Sequence, residues 1–340
     1  VKRTVRPDPF GGELAPPRTP PTARPATHVT GRAARTITRR PGSRSRRLRP
    51  LAPYALLAPA LLVLAAILGF PLYRLVSLSF QQYGLKELFA GRGTFIGLRN
   101  YGDILGDPFF WTVVARTVVF AAVCVGLTMV LGTLVALLLR NLARPMRVLV
   151  TAGLVAAWAM PTLTAISIWQ WLFDFEFGVV NWLLTRLGVA GYEQHNWFDQ
   201  PLQGWTVIVI VVVWAALPFV AITLHAGLTQ VPAELEEAAR VDGAGAWQVF
   251  RHITFPVLKP IFLILATLST IWDFKVFTQV WVMLNQRPSR EYFLLGIWSY
   301  SESFGVTRYG KGAAIAVIMV LLLLALTFFY VRQMLRAVGP

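Results

Sequence analysis

Hydrophobic and polar positions in this chain segregate on the scale of whole segments. Six apolar runs can be read: Leu51–Tyr73, Thr117–Leu139 between Arg116 and Arg140, Val148 to about Phe173, about Trp205 to Leu228 with His225 near its end, about Val257 to Leu284, and Gly312–Val331. Asp273 and Lys275 interrupt the fifth. Each run is near or above the roughly 20 residues that a helix needs to cross about 30 Å of hydrocarbon. Periodicity does not separate such runs from buried soluble helices; their length and lack of charge do. In lipid every backbone amide must be paired within the protein, so the runs predict helices. The expected fold class is an all-α integral membrane protein with six transmembrane helices. Its parts are a first helix over 51–80 and a core of five over 111–335.

Composition agrees. Of 340 residues, 56% are hydrophobic and 14% charged, where a soluble protein carries about 25% charged residues. The formal charge of +16 is concentrated at the start, with 13 of the 32 Lys+Arg before Leu51. That concentration argues against nucleic-acid binding. Residues 1–50 are rich in Pro, Arg, Thr and Ala and bury too little apolar surface to order, which predicts a disordered basic tail. Its Arg44, Arg46, Arg47 and Arg49 abut the first run, as in a segment touching anionic lipid headgroups; a secretory signal fits less well, because no small-residue cleavage site follows. Cys124 stands alone, so an intrachain disulfide is excluded, and it reads as a small buried side chain. The four His show no metal-binding spacing, and His195 with Glu193 and Asp199 reads as a solvated loop. Gly305 to Lys311 mimics a phosphate-binding loop but has Gly312 where Ser or Thr is required.

Lys and Arg are unequal across the predicted spans. The side holding the N-terminus carries 21 of them and the other side eight. Short loops agree: Arg140, Arg144 and Arg147 cluster on the first side, while 173–204 holds Arg186 against four acids. The rule that positive charge stays inside predicts cytoplasmic N- and C-termini and a cytoplasmic loop over 230–260.

That loop is the most polar stretch of the second half: ELEEAARVDGAGAWQVFRHITFPVLKP from Glu234. Pro232 and Ala233 can start a helix, and Glu234, Glu236 and Glu237 suit its positive N-terminal end. Gly243 and Gly245 break it. Ala246–Ile253 predicts a second short helix, and Pro256 the re-entry to the membrane. Glu237-Ala238-Ala239, three residues, Gly243, nine residues, Ile253, two residues, Pro256: this spacing resembles the EAA loop of permease subunits of binding-protein-dependent ABC importers. Phe255 stands where Leu is usual.

The resemblance narrows to carbohydrate-type permeases, similar to those for maltose and glycerol phosphate. It runs through Gly97-Leu98-Arg99-Asn100-Tyr101, Asp107-Pro108, Phe110-Trp111 and Thr117, then Phe173, Gly178, Asn181 and Leu184, and finally Gly310–Ala316. Two departures stand out. Arg116 occupies a position where Asn is common, and Asn285-Gln286-Arg287-Pro288 replaces a Gly-Gly-Gly-Pro. The resemblance implies a MetI-like ABC permease fold in a bacterial cell membrane, not an enzyme. It implies that the loop docks on an ATP-hydrolysing partner. Glu237 then pairs with a basic group there, Ala238 and Ala239 allow close packing, Gly243 makes the turn, and Asp242, Ile253 and Pro256 complete the motif. It further implies two ATPase subunits, a second permease and an extracytoplasmic sugar-binding lipoprotein meeting the outer loops. This chain itself binds no cofactor, since ATP is hydrolysed by the partner. A di- or oligosaccharide is the expected cargo, and the Trp272–Trp281 run is similar to that of actinobacterial permeases for chitobiose-like or cello-oligosaccharides.

Charges inside a span are costly unless paired or wet, so Asp273 and Lys275 are functional candidates or a structural pairing with a sister subunit. Two residues apart, they do not share a helix face, which predicts different partners or a local break in the helix. Trp272, Phe277 and Gln279 add the aromatic faces and amide that suit sugar rings. Trp111, Trp197 and Trp205 read as interfacial belt residues. An ion-driven secondary transporter of a small polar solute accounts for the two charges but not for the EAA spacing. A membrane enzyme acting on lipid-linked sugars needs clustered acids or His at a membrane face, which the sequence lacks.

Overall fold

The computed structural model describes residues 52–338; the predicted tail over 1–50 lies outside them. Contacts divide the chain into Val1–Pro59 and Ala60–Pro340, and the second unit carries the core. Among the described residues, five helices are long and apolar enough to cross a membrane, or six if one bent pair is a single span. In chain order, α1 is Leu56–Ser79, α2 Pro108–Asn141, α3 Arg144–Trp158 and α4 Thr162–Leu172. Next come the short α5, Val179–Arg186, then α6, Pro201–Leu228, and α7, Ala233–Val241. The chain continues with α8, Ala246–Phe274, the short α9, Thr278–Met283, and α10, Leu295–Tyr300. It ends in α11, Tyr309–Val338. Between α1 and α2 lie two short helices and a two-residue antiparallel pairing of Gln81–Gln82 with Thr94–Phe95.

Helices α2 and α6 form the centre. The buried side chains of α2 recur mostly every three or four residues, and between Cys124 and Ala136 they are small: Thr128, Gly132 and Ala136 follow Cys124 at four-residue steps. Lipid tails are as apolar as Leu, so helices in a membrane associate through close packing of small residues. Gly132 shows the tolerance: a Cβ there would lie 2.6 Å from Val220 Cγ1 of α6. Cys124 is fully buried on this stripe, as a small apolar side chain should be. By contrast, no residue in the most apolar window of α1 is buried, and its Phe70–Ser79 end packs on α11.

Two expected spans are not single straight helices. The third is α3 and α4, bent by 98°. Pro161 lies at the bend, where it has no N–H to donate and pushes Met160 out of helical geometry. The fifth begins at Ala246, not Val257, and stops at Phe274, not Leu284. Pro256 does not interrupt it. A π-turn at Phe250–Thr254 precedes the proline, and the missing donor falls where the helix is already widened. The predicted separate helix Ala246–Ile253 is therefore the root of α8.

Opposite the Glu234–Pro260 end, the connections knit together. Arg116 Nη1 donates to Arg290 O at 2.9 Å and Phe293 O at 3.1 Å, and Leu295 N donates to Thr117 Oγ1 at 3.1 Å. Thus the Arg at the unusual position makes its own contact with the loop before α10. Asn285 and Gln286 take φ of 52° and 62°, the left-handed region that glycine would enter at least cost. His195, expected in a solvated loop, is half-buried between Tyr192 and Trp197 and bonds Gln203 Oε1 at 2.8 Å. Trp197 is half-buried: its Nε1 donates to Asn181 Oδ1 at 2.7 Å, and Asn181 Nδ2 donates in turn to His195 O at 2.9 Å. Trp205 likewise packs on Phe120 and Tyr292. Trp111 is exposed and keeps the belt reading.

Replacing Gly132 with Leu should lower stability by about 1–3 kcal/mol through overpacking. The expected outcome is a thermal midpoint in detergent reduced by several degrees; an unchanged midpoint would show that the α2–α6 seam yields easily.

Candidate functional site

The Glu234–Pro260 stretch folds as a polar projection rooted in the bundle. Pro232 caps α7, and Glu234 and Glu236 lie in the first turn, where the helix dipole favours acids; Arg240 lies in the last, where it favours a base. Gly243 ends the helix with φ +86°. Ala244 N donates to Ala239 O at 2.9 Å and Gly243 N to Arg240 O at 3.0 Å, a paired closure that satisfies the last carbonyls and needs a left-handed residue. Gly245 N donates to Gln248 Oε1 at 2.8 Å, which starts α8.

The predicted motif residues divide by exposure. Glu237, Ala238, Asp242, Gly243 and Pro256 are exposed, while Ala239 and Ile253 are half-buried. The residue that fixes the projection is the neighbouring Glu236, only 4% exposed. Arg140 at the end of α2 donates Nη1 to Glu236 Oε1 at 2.8 Å and Nη2 to Oε2 at 2.5 Å. Thr254 Oγ1, in the π-turn, donates to Glu236 Oε1 at 2.9 Å. One carboxylate therefore joins α7, α2 and α8. Arg147 Nη2 closes the adjacent α2–α3 turn on Arg140 O and Leu142 O. The hydrogen bond from Arg140 holds the Glu236 carboxyl below its usual range, with Thr254 assisting and burial opposing. Sequence reasoning assigned Glu236 only to the helix start. The one available signal was Arg140 closing the second apolar run, and nothing local paired the two.

The span-five candidates do not form one site. Asp273 is 3% exposed and faces the bundle interior, and its Oδ2 has no hydrogen-bond partner among the described residues. Lys275 is exposed and caps α8, so the helix does break between the two charges' neighbourhoods. Trp272, 41% exposed, meets Phe219 edge-on at 5.5 Å, and Phe219 stacks on Trp158 at 6.1 Å. Trp158 in turn lines a cavity of about 150 Å³ beside the α3–α4 bend, with Thr162, Trp214 and Gln279. Phe277 belongs to a different cluster, stacked on Trp281 at 5.5 Å and tilted against Tyr300 at 5.1 Å.

Residues 128–337, from the small-residue stripe of α2 through the projection to α11, match the family of binding-protein-dependent transport system inner membrane components. The chain belongs to this family. It is 42% identical over 298 residues to the diacetylchitobiose uptake system permease protein DasB of Streptomyces coelicolor, covering 87% of this chain and 91% of that one. It is 31% identical over 279 residues to the trehalose/maltose transport system permease protein MalF of Thermococcus litoralis, covering 82% and 92%. A chain of the bacterial alginate ABC transporter, solved with an alginate pentasaccharide-bound periplasmic protein, superposes with a TM-score of 0.73 over 87% of this chain and 99% of that one, at 18% identity. The fold is thus the MetI-like permease fold, and the chain is a membrane transport component rather than an enzyme.

Removing one partner of a fully buried pair costs about 3–5 kcal/mol, and less here because a third of the Arg140 side chain meets solvent. Glu236→Gln should lower thermal stability at neutral pH. A depressed carboxyl contributes stability above its unfolded pKa of about 4.3 that is lost as pH falls through the folded value. The wild type should therefore lose stability below about pH 4.3 more steeply than Glu236→Gln, measured as unfolding midpoint against pH. Parallel curves would remove the pair from this role.

Proposed function

We propose that this chain is a permease subunit of an ATP-binding-cassette importer that carries a sugar into the cytoplasm. The observation that carries this reading is the projection itself. Glu237 stands exposed on a short helix whose neighbour Glu236 is locked to the transmembrane core. A partner that grips α7 pulls on α2 and α8 through that lock. The projection then faces the cytoplasm, where ATP is, as the Lys/Arg asymmetry supports, and both termini lie on that side. Glu237 pairs with a basic group of an ATPase subunit, Ala238, Ala239 and Asp242 lie against it, and Gly243 sets the turn. Ile253 and Pro256 belong to the root.

The remaining partners are a second permease, two ATPase subunits and an extracytoplasmic sugar-binding protein that meets 81–110, 173–204 and 285–311. The relatives named for diacetylchitobiose and for trehalose/maltose support a di- or oligosaccharide as cargo. Trp272 and Gln279, joined through Phe219 and Trp158 at the broken third span, are the preferred sugar-path residues. Helices broken inside a membrane expose polar backbone where a polar solute can use it. Phe277 lines the same route only if the α9–α10 cluster opens. Asp273 and Lys275 serve the break rather than the sugar.

Glu237→Lys and Gly243→Pro should each cut ATP-dependent uptake of a labelled chito- or malto-oligosaccharide into proteoliposomes at least about tenfold, equivalent to 1.4 kcal/mol of lost docking, with the membrane level unchanged. Wild-type uptake in both variants would defeat the assignment of the projection.

A further inference from the structure

A groove of about 510 Å³ runs between α2 and the root of α8. Met129, Thr133 and Leu137 line one wall and Trp247, Phe255 and Phe262 the other. The aromatic wall is continuous. Trp247 stacks on Phe250 at 5.7 Å, Phe250 meets Phe255 at 6.2 Å, and Phe255 meets Phe262 at 5.1 Å. Trp247 remains 68% exposed and Phe255 38%. Met129 to Leu137 extends roughly 12 Å along the α2 axis, ending three residues before Arg140. The groove therefore occupies the half of the bilayer nearer the polar projection.

The rim is basic. Phe255, Lys259 and Phe262 follow at steps of four and three residues and share a face of α8. Arg251 lies one turn before Phe255, inside the π-turn. Both basic side chains are exposed, and neither forms an ion pair with an acid among the described residues. Lys259 has an apolar stem long enough to lie along apolar surface while its ammonium extends toward the headgroups. An apolar slot within a leaflet, an aromatic wall and two exposed cations spaced along that wall's helix, neither in an ion pair among the described residues, are complementary to one occupant: a phospholipid with a negatively charged headgroup.

We infer that this groove is a binding site for an anionic phospholipid of the leaflet beside the projection. One acyl chain lies along Met129–Leu137, and the headgroup phosphate meets Lys259 and Arg251. The lipid then wedges α2 against the π-turn, where π-turns often mark functional positions. It would bear on the joint that Glu236 closes. The inference does not depend on which side of the membrane the projection faces, nor on the cargo.

The test uses the chain purified with its co-assembled subunits and placed in nanodiscs. Trp247 fluorescence is taken as the difference between the wild type and Trp247→Phe, since the chain has 12 Trp. Brominated phosphatidylglycerol should quench that difference at about a tenfold lower mole fraction than brominated phosphatidylcholine, the effect of one or two basic groups near an anionic headgroup. Lys259→Gln with Arg251→Gln should abolish the preference. Because both positions are exposed, the double variant should assemble normally, and native mass spectrometry of retained phosphatidylglycerol gives a second readout. Equal quenching by both lipids means ordinary bilayer contact and overturns the site. Absence of quenching by either means that a protein subunit covers the groove and overturns it equally.

Discussion

A carboxylate that is 4% exposed at the edge of a membrane needs a partner, and Glu236 has Arg140 and Thr254. The rest of the projection depends on that requirement. Successive residues of an α-helix are turned by about 100°, so anchoring Glu236 inward determines where Glu237 points, which is outward. The same anchor sets the distance of Gly243 from the bundle, because α7 is a rigid rod between them. An unanchored loop of this composition would have no fixed geometry to present.

The anchor matters only if what it is tied to is rigid. Arg140 ends a helix whose small buried stripe, Cys124, Thr128, Gly132 and Ala136, admits α6 at close range. Thr254 belongs to α8, which runs unbroken to Phe274 despite Pro256 and Pro260. The Glu236 carboxylate therefore ties α7 to two long helices at once, and both continue toward the opposite end. There α2 meets the loop before α10 through Arg116 and Thr117, which bond Arg290, Phe293 and Leu295. Contiguous packed elements of this kind are what can carry mechanical coupling across a membrane.

The number and type of helices were legible because length and charge exclusion are properties of single segments. The turn at Gly243 was legible for the same reason: local spacing dictates it. Breaks were harder. Pro161 kinks its span whereas Pro256 and Pro260 do not, because a π-turn absorbs the missing donor of Pro256, and the widening of a helix leaves no composition signature. The anchor was illegible because Arg140 and Glu236 lie 96 residues apart, and each alone reads as an ordinary charge at a helix end. The half-buried state of Trp197 and His195 was illegible for a related reason. Their burial depends on Asn181, which a short helix brings beneath them.

The fate of the two charges in the fifth span shows how topology sorts residues that sequence leaves adjacent. Asp273 and Lys275 flank the end of α8. The last helical turn keeps Asp273 facing the bundle, and the break at Lys275 releases that ammonium to the surface. Neither is presented to the cavity at the α3–α4 bend, which is lined instead by Trp158, Thr162, Trp214 and Gln279. Under the proposed function a sugar is matched by that second set: indole faces accept the apolar side of a ring, and an amide and a hydroxyl can both donate to and accept from its hydroxyls. The break in α8 thus separates the two charges, and the short α9 that follows places Gln279 at the cavity beside the α3–α4 bend.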